Sequence, residues 1–152
     1  IVGYPTVQEE FVIAQRVTGQ MPEVNGVASL EDLTALQQLC RTSYVDSALT
    51  HYAVKLVDAT RNPAKYDLAE LAPMLQFGAS PRATISMVEA ARALALLRGR
   101  GYVLPEDMVD VAPDVLRHRL VLSYEALASN MDASAVIAKL LAKIAPPEKP
   151  LT

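Results

Sequence analysis

Tryptophan is absent from this chain, aromatic residues make up only 5% of it, and cysteine occurs once, at Cys40. A single thiol excludes an internal disulfide and points to a reducing compartment, so a cytoplasmic protein is expected. With few aromatics, Ala, Leu and Val supply most of a hydrophobic fraction of 51%, a composition suited to closely packed helices and not to a β-sandwich. Long apolar runs are missing as well. Charged residues interrupt each one well short of membrane-spanning length, and no signal-peptide pattern is present, so no membrane insertion is expected. No stretch reads Gly-x-x-x-x-Gly-Lys-Ser/Thr, since none of Lys55, Lys65, Lys139, Lys143 or Lys149 follows a glycine. No apolar run ends in the Asp-Glu pair that would hold Mg2+ and polarise water either. His51 and His118 lie far apart, with no Cys, His or Glu cluster beside them, so no metal site is expected. The net charge of −3 gives a global field that does not attract nucleic acid.

The chain has 152 residues, enough for one domain or two small ones. Ten prolines and six glycines punctuate it at intervals, as in a helical protein with short connections. Ile1 to Pro5 reads as the end of a strand. Thr6 caps a helix from about Val7 to Val17, with Glu9 and Glu10 in the favourable first turn. Ser29-Leu-Glu-Asp resembles a capping box, and Leu30, Leu33, Leu36, Leu39 and Cys40 follow at helical spacing. Asp46 caps a helix whose apolar face is Leu49, Tyr52, Ala53, Leu56 and Val57, ended by Asn62-Pro63. Between Pro63 and Gly78 only a short helical turn near Asp67 to Leu71 is expected. A long helix follows from Pro81 to about Arg98, stopped by Gly99 and Gly101. Leu104-Pro105 opens another, ending near Ala112-Pro113, with a short helical segment at Val115 to Arg119. Further helices are expected from Ser123 to Ser129 and after Asp132. The fold class expected is all-α, a bundle of about five to seven helices.

Gly78-Ala79-Ser80-Pro81-Arg82-Ala83 is the stretch that points to chemistry. Ser80 is a natural N-cap, Pro81 suits the first helical position, and Gly78 lets the approaching backbone turn freely. The unbonded N–H groups and the helix dipole favour an anion there. A cation at that end gains nothing from the helix, so Arg82 makes sense if a phosphate or similar group sits beside it. At 100° per residue, Arg82, Ser86, Glu89 and Ala93 form one stripe with Arg92 close by, while Ala83, Met87, Val88, Ala91, Leu94 and Ala95 occupy the opposite arc. Arg82 should therefore face away from the core. Arg92, Arg98, Arg100, Arg117, His118 and Arg119 form a local basic cluster, suited to an acidic partner surface.

These features also carry a resemblance. Gly3-Tyr4-Pro5, Ala59-Thr60-Arg61, the Gly78 to Ala83 motif with its Ala-rich helix, Leu97-Arg98-Gly99-Arg100-Gly101-Tyr102-Val103-Leu104-Pro105-Glu106-Asp107 and Val115-Leu116-Arg117-His118-Arg119-Leu120 occur in an order and spacing similar to the C-terminal lid of MoxR-type AAA+ ATPases. The resemblance covers nearly the whole chain. It implies that residues 1–5 end a strand of the preceding core domain, 6–145 form the helical lid and 146–152 a disordered Pro-rich tail. It also implies that Arg82 is the sensor 2 arginine. Such an arginine reaches the γ-phosphate of ATP in a neighbouring α/β core domain, with Ser80, Pro81 and Ala83 forming the rest of the nucleotide-facing motif.

On that resemblance Tyr4, Pro5 and Ile13 would lie on the adenine side and Arg61 at an interface. Leu104-Pro105-Glu106-Asp107 would be a helix start. ATP and Mg2+ would belong to the parent protein, an ATP-hydrolysing, typically hexameric, chaperone-like ring, with none held by this chain alone. Its partners would be the core domain of the same protein, neighbouring subunits and a von Willebrand factor A domain protein. Two other readings stand beside it. One is a freestanding helical interaction module using the basic cluster; the other is a helix-turn-helix nucleic-acid binder using Leu104 to Leu120, which the acidic balance disfavours.

Overall fold

In a computed structural model of the chain, residues 3–21 and 23–148 are described. Expectations for Ile1, Val2, Pro22 and the end of the tail at residues 149–152 lie outside them. The chain divides into two compact units, residues 1–33 and 34–152.

In the first unit, helix α1 spans Val7–Thr18. Its capping box is complete: the Thr6 amide donates to Glu9 Oε2 at 2.7 Å and the Glu9 amide to Thr6 Oγ1 at 3.4 Å, which satisfies donors that a helix start leaves free. Helix α2 spans Leu30–Thr42 and crosses the division. It opens with the same reciprocity, Ser29 N–H to Asp32 Oδ2 at 2.8 Å and Asp32 N–H to Ser29 Oγ at 3.0 Å. Neither helix buries a residue; Leu30, Leu33, Leu36 and Leu39 all stay exposed, as do Phe11 and Ile13. Helical spacing produced the helices without giving their apolar faces a cover.

The second unit holds the core. Helix α3, Ser47–Arg61, starts where Asp46 Oδ1 accepts the Ala48 amide at 2.7 Å. Helix α4, Pro81–Leu97, buries the expected small residues Ala83, Ala91 and Ala95 with Met87 between them. Helix α5, Pro105–Leu116, and helix α7, Ala133–Lys143, close the core with Met108, Ala112, Leu116, Val136, Ile137 and Leu140. Short helix α6, Tyr124–Ala128, is capped by Ser123 Oγ. Val103 N–H to Tyr44 O and Tyr44 N–H to Gly101 O, both at 2.9 Å, tie the loop after α4 to the end of α2.

Three local expectations change. Pro113 does not end its helix; α5 runs through it to Leu116, because Ala112, Val115 and Leu116 are all buried and packing holds the turn that lacks one N–H. A 3-10 turn then covers Arg117–Arg119. The segment after α3 holds two 3-10 turns, Pro63–Tyr66 and Ala69–Leu71, in place of one. A small antiparallel pair, β1 (Leu75–Phe77) with β2 (Val121–Leu122), was not expected at all; Ser123 Oγ donating to Pro73 O at 2.6 Å extends that link. The fold remains an all-α bundle with this one ribbon.

Candidate functional site

The approach to α4 is fixed by the end of α3. Thr60 is 1% exposed. Its hydroxyl donates to Val57 O at 2.7 Å and accepts the Ala79 amide at 2.8 Å. A Cβ on Gly78 would lie 2.6 Å from the Thr60 carbonyl carbon and 2.8 Å from Arg61 Cγ. Glycine at this position therefore serves close backbone approach rather than turning freedom.

Ala79 and Ala83 are fully buried on either side of Arg82, so the helix start is pinned while its arginine faces outward. Ser80 takes the N-cap position with φ −78° and ψ 166°, but its side chain makes no capping bond, which corrects the sequence expectation. Only its carbonyl engages, accepting the Ala83 amide at 2.8 Å. Pro81 carries no N–H. Among the described residues the Arg82 amide makes no hydrogen bond and its guanidinium makes neither hydrogen bond nor ion pair. The first turn of the longest helix thus presents an unbonded N–H, its dipole and an unpaired cation at one place.

A second cation lies one turn along. Arg119 Nη2 donates to Ser86 Oγ at 3.1 Å, and Ser86 is four residues beyond Arg82 on the same stripe. No local spacing rule marks this contact, because the residues are 33 apart.

The AAA lid domain family matches residues 69–140. The chain carries an AAA lid domain. It is 44% identical to the chaperone MoxR1 of Mycobacterium tuberculosis over 147 residues, covering 97% of this chain and 39% of that protein. It is 41% identical to the protein MoxR of Paracoccus denitrificans over 85 residues, 53% of this chain and 25% of that one. A candidate ATPase of Cytophaga hutchinsonii superposes with a TM-score of 0.86 at 33% identity, over 97% of this chain and 45% of the solved one. The chain thus spans less than half the length of each.

Several basic residues of the expected cluster are occupied within the lid. Asp107 is fully buried and accepts from Arg98 Nη1 at 2.7 Å, from Arg100 Nη2 and Nη1 at 2.7 and 2.8 Å, and from the Leu104 amide at 2.8 Å. Burial pushes its carboxyl up, but the Arg100, Leu104 and Arg98 bonds outweigh this and hold it below the usual carboxylate range. Arg98 also reaches Asp110 at 2.6 Å. The Leu97 to Asp107 motif therefore closes on itself, and Arg98 and Arg100 are not free to bind a partner. Arg117 pairs with Asp114 at 3.5 Å.

Arg61 Nη2 lies 3.6 Å from Asp58 Oδ1. Asn62, Tyr66 and Lys65 also donate to Asp58, in that order of effect, and together pull its carboxyl down to about 2. In the first unit, Tyr4, Pro5 and Ile13 come together with Gln8, Glu9 and Val12 along a concavity of about 640 Å3. Among the described residues no group of His, Cys, Asp and Glu could hold a metal ion, and no helix is long and apolar enough to cross a membrane.

Proposed function

We propose that this chain is the C-terminal lid, spanning residues 6–145, of a MoxR-type AAA+ ATPase. Arg82 acts in it as the sensor 2 arginine, closing over ATP held by the core domain of the same protein. The observation that carries the reading is the state of Arg82: an exposed cation with no counter-ion among the described residues, beside an unbonded amide, at a helix start pinned by Thr60 and Gly78.

Arg82 supplies a forked cation to the terminal phosphate, and the helix dipole adds to the field at the same point. With ADP the guanidinium loses its anion and the lid its tether, so closure reports the nucleotide state. Ser80, Pro81 and Ala83 set the backbone that aims Arg82. Tyr4, Pro5 and Ile13 offer an apolar concavity suited to the adenine side. Arg61, drawn to Asp58 across 3.6 Å, can exchange that partner at an interface. Mg2+ and the phosphate-cradling loop belong to the core domain, and this chain alone does not hydrolyse ATP.

The uncovered apolar faces of α1 and α2 support docking on the core domain and neighbouring subunits. We assign the parent to a hexameric, cytoplasmic, chaperone-like ring with a von Willebrand factor A domain partner. The test is Arg82→Ala in the full-length ATPase, with hydrolysis and nucleotide-dependent assembly as readouts. Loss of both with the lid still folded supports the role; wild-type turnover and assembly remove it.

A further inference from the structure

The arginines of the second unit fall into two groups. Arg61, Arg98, Arg100 and Arg117 each reach an aspartate. Arg41, Arg82, Arg92 and Arg119 reach none among the described residues, although the chain carries a net charge of −3. Arg119 is the informative member. It is half-buried, it donates to the neutral hydroxyl of Ser86, and its Nε–H, like those of Arg92 and Arg117, is shielded from solvent with no acceptor among the described residues. A shielded guanidinium N–H without an acceptor is a costly arrangement.

Ser86, which accepts from Arg119, stands one helical turn beyond Arg82, a rise of about 6 Å along the axis between the two backbone positions. Two unpaired cations gathered on one helix face repel unless an anion joins them. Glu89, the one carboxylate on the stripe, makes no ion pair with either. Arg92 lies about 80° away on the other flank of α4 and does not join them.

We propose that Arg119, tethered by Ser86, is a second phosphate-facing cation that acts with Arg82 on a polyphosphate. The inference rests on the sensor reading of Arg82 and extends it to a residue from a separate element, the turn after α5. Two guanidiniums on one helix face suit adjacent phosphoryl groups better than a single carboxylate, because each can take its own pair of oxygens. Pinning Arg119 from α5 also couples that helix to the nucleotide state, so closure would be sensed on both flanks of α4.

The test titrates this chain at low salt with inorganic tripolyphosphate. It follows the arginine side-chain Nε–H resonances by NMR in wild type, Arg82→Ala, Arg119→Ala, Arg119→Lys and Ser86→Ala, each checked for an unchanged backbone fingerprint. The expected result is saturable binding that shifts both Arg82 and Arg119. Each alanine variant should weaken it by about threefold or more, Ser86→Ala by less, and Arg119→Lys should restore part of the loss.

If Arg119→Ala binds as wild type while Arg82→Ala is weakened, the pairing is overturned and the sensor reading of Arg82 stands. If Arg82→Ala binds as wild type, the sensor reading and the pair fall together. Equal affinity for an oligoglutamate peptide would assign the pair to an acidic protein surface and overturn the proposal. Absence of saturable binding by wild type would also overturn it.

Discussion

The amide of Ala79 donates to the hydroxyl of Thr60 at 2.8 Å, while that hydroxyl donates to Val57 O at 2.7 Å. One buried side chain thus joins the last turn of α3 to the residue just before the N-cap of α4, and Arg82 inherits its position from that joint. Thr60→Val keeps the shape but leaves the Ala79 N–H without an acceptor, so it should cost about 1–3 kcal/mol. Gly78→Ala should cost more, since the new methyl meets the Thr60 carbonyl. Urea unfolding of the two variants measures both; a Gly78→Ala protein as stable as wild type would refute the close approach.

Ser80 and Asp132 occupy equivalent N-cap positions and do different things. Asp132 Oδ1 accepts the Ala135 amide at 2.7 Å, whereas the Ser80 side chain makes no such bond. Asp132→Ala should therefore destabilise the chain by about 1 kcal/mol, and Ser80→Ala by only a few tenths. Comparable losses would show that Ser80 caps α4 in solution.

Asp107 gathers Arg98, Arg100 and the Leu104 amide at zero exposure. Asp107→Ala strips all three at once and should cost about 2–4 kcal/mol, less than a fully desolvated broken pair because both arginines retain access to water. Arg98→Ala should cost less than Arg100→Ala, as Arg98 is the more exposed, at 39% against 19%. The reverse order in thermal melts would contradict the assignment of Arg100 as the principal partner.

Acid should unfold the second unit through two aspartates. Asp58 is held at about 2 by Asn62, Tyr66 and Lys65, and Asp107 is held below its ordinary value. Both bind fewer protons folded than unfolded, so their contribution is fully present above the unfolded carboxylate value of about 4; that of Asp58 is lost as pH falls towards about 2 and that of Asp107 as pH falls through its own lowered value. The denaturation midpoint should drop across that window. Asp58→Asn should flatten the drop; an unchanged acid slope in that variant would remove Asp58 from the account.

Much of this was legible because it is local. Thr6, Ser29, Asp46, Ser123 and Asp132 mark helix starts by residue type, and Gly99, with φ +72°, marks a stop. The outward placement of Arg82 followed from the 3.6-residue period. Contacts that depend on distant residues were hidden. The β1–β2 ribbon joins segments more than 40 residues apart through three-residue and two-residue strands, too short to show a period. Ser86 with Arg119 and Thr60 with Ala79 are side-chain bonds across the bundle that no spacing rule anticipates. The basic cluster misled for another reason: Arg98 and Arg100 read as a surface patch because the spacing of the motif does not show that its own Asp107 is buried beneath them.

The most direct test of the central claim compares ATPγS with ADP in binding to the full-length ATPase, in wild type and Arg82→Ala. The account predicts that wild type prefers the triphosphate and that Arg82→Ala loses about tenfold of that preference, with ADP affinity little changed. Undiminished discrimination in Arg82→Ala would contradict a lid that senses the γ-phosphate through this residue.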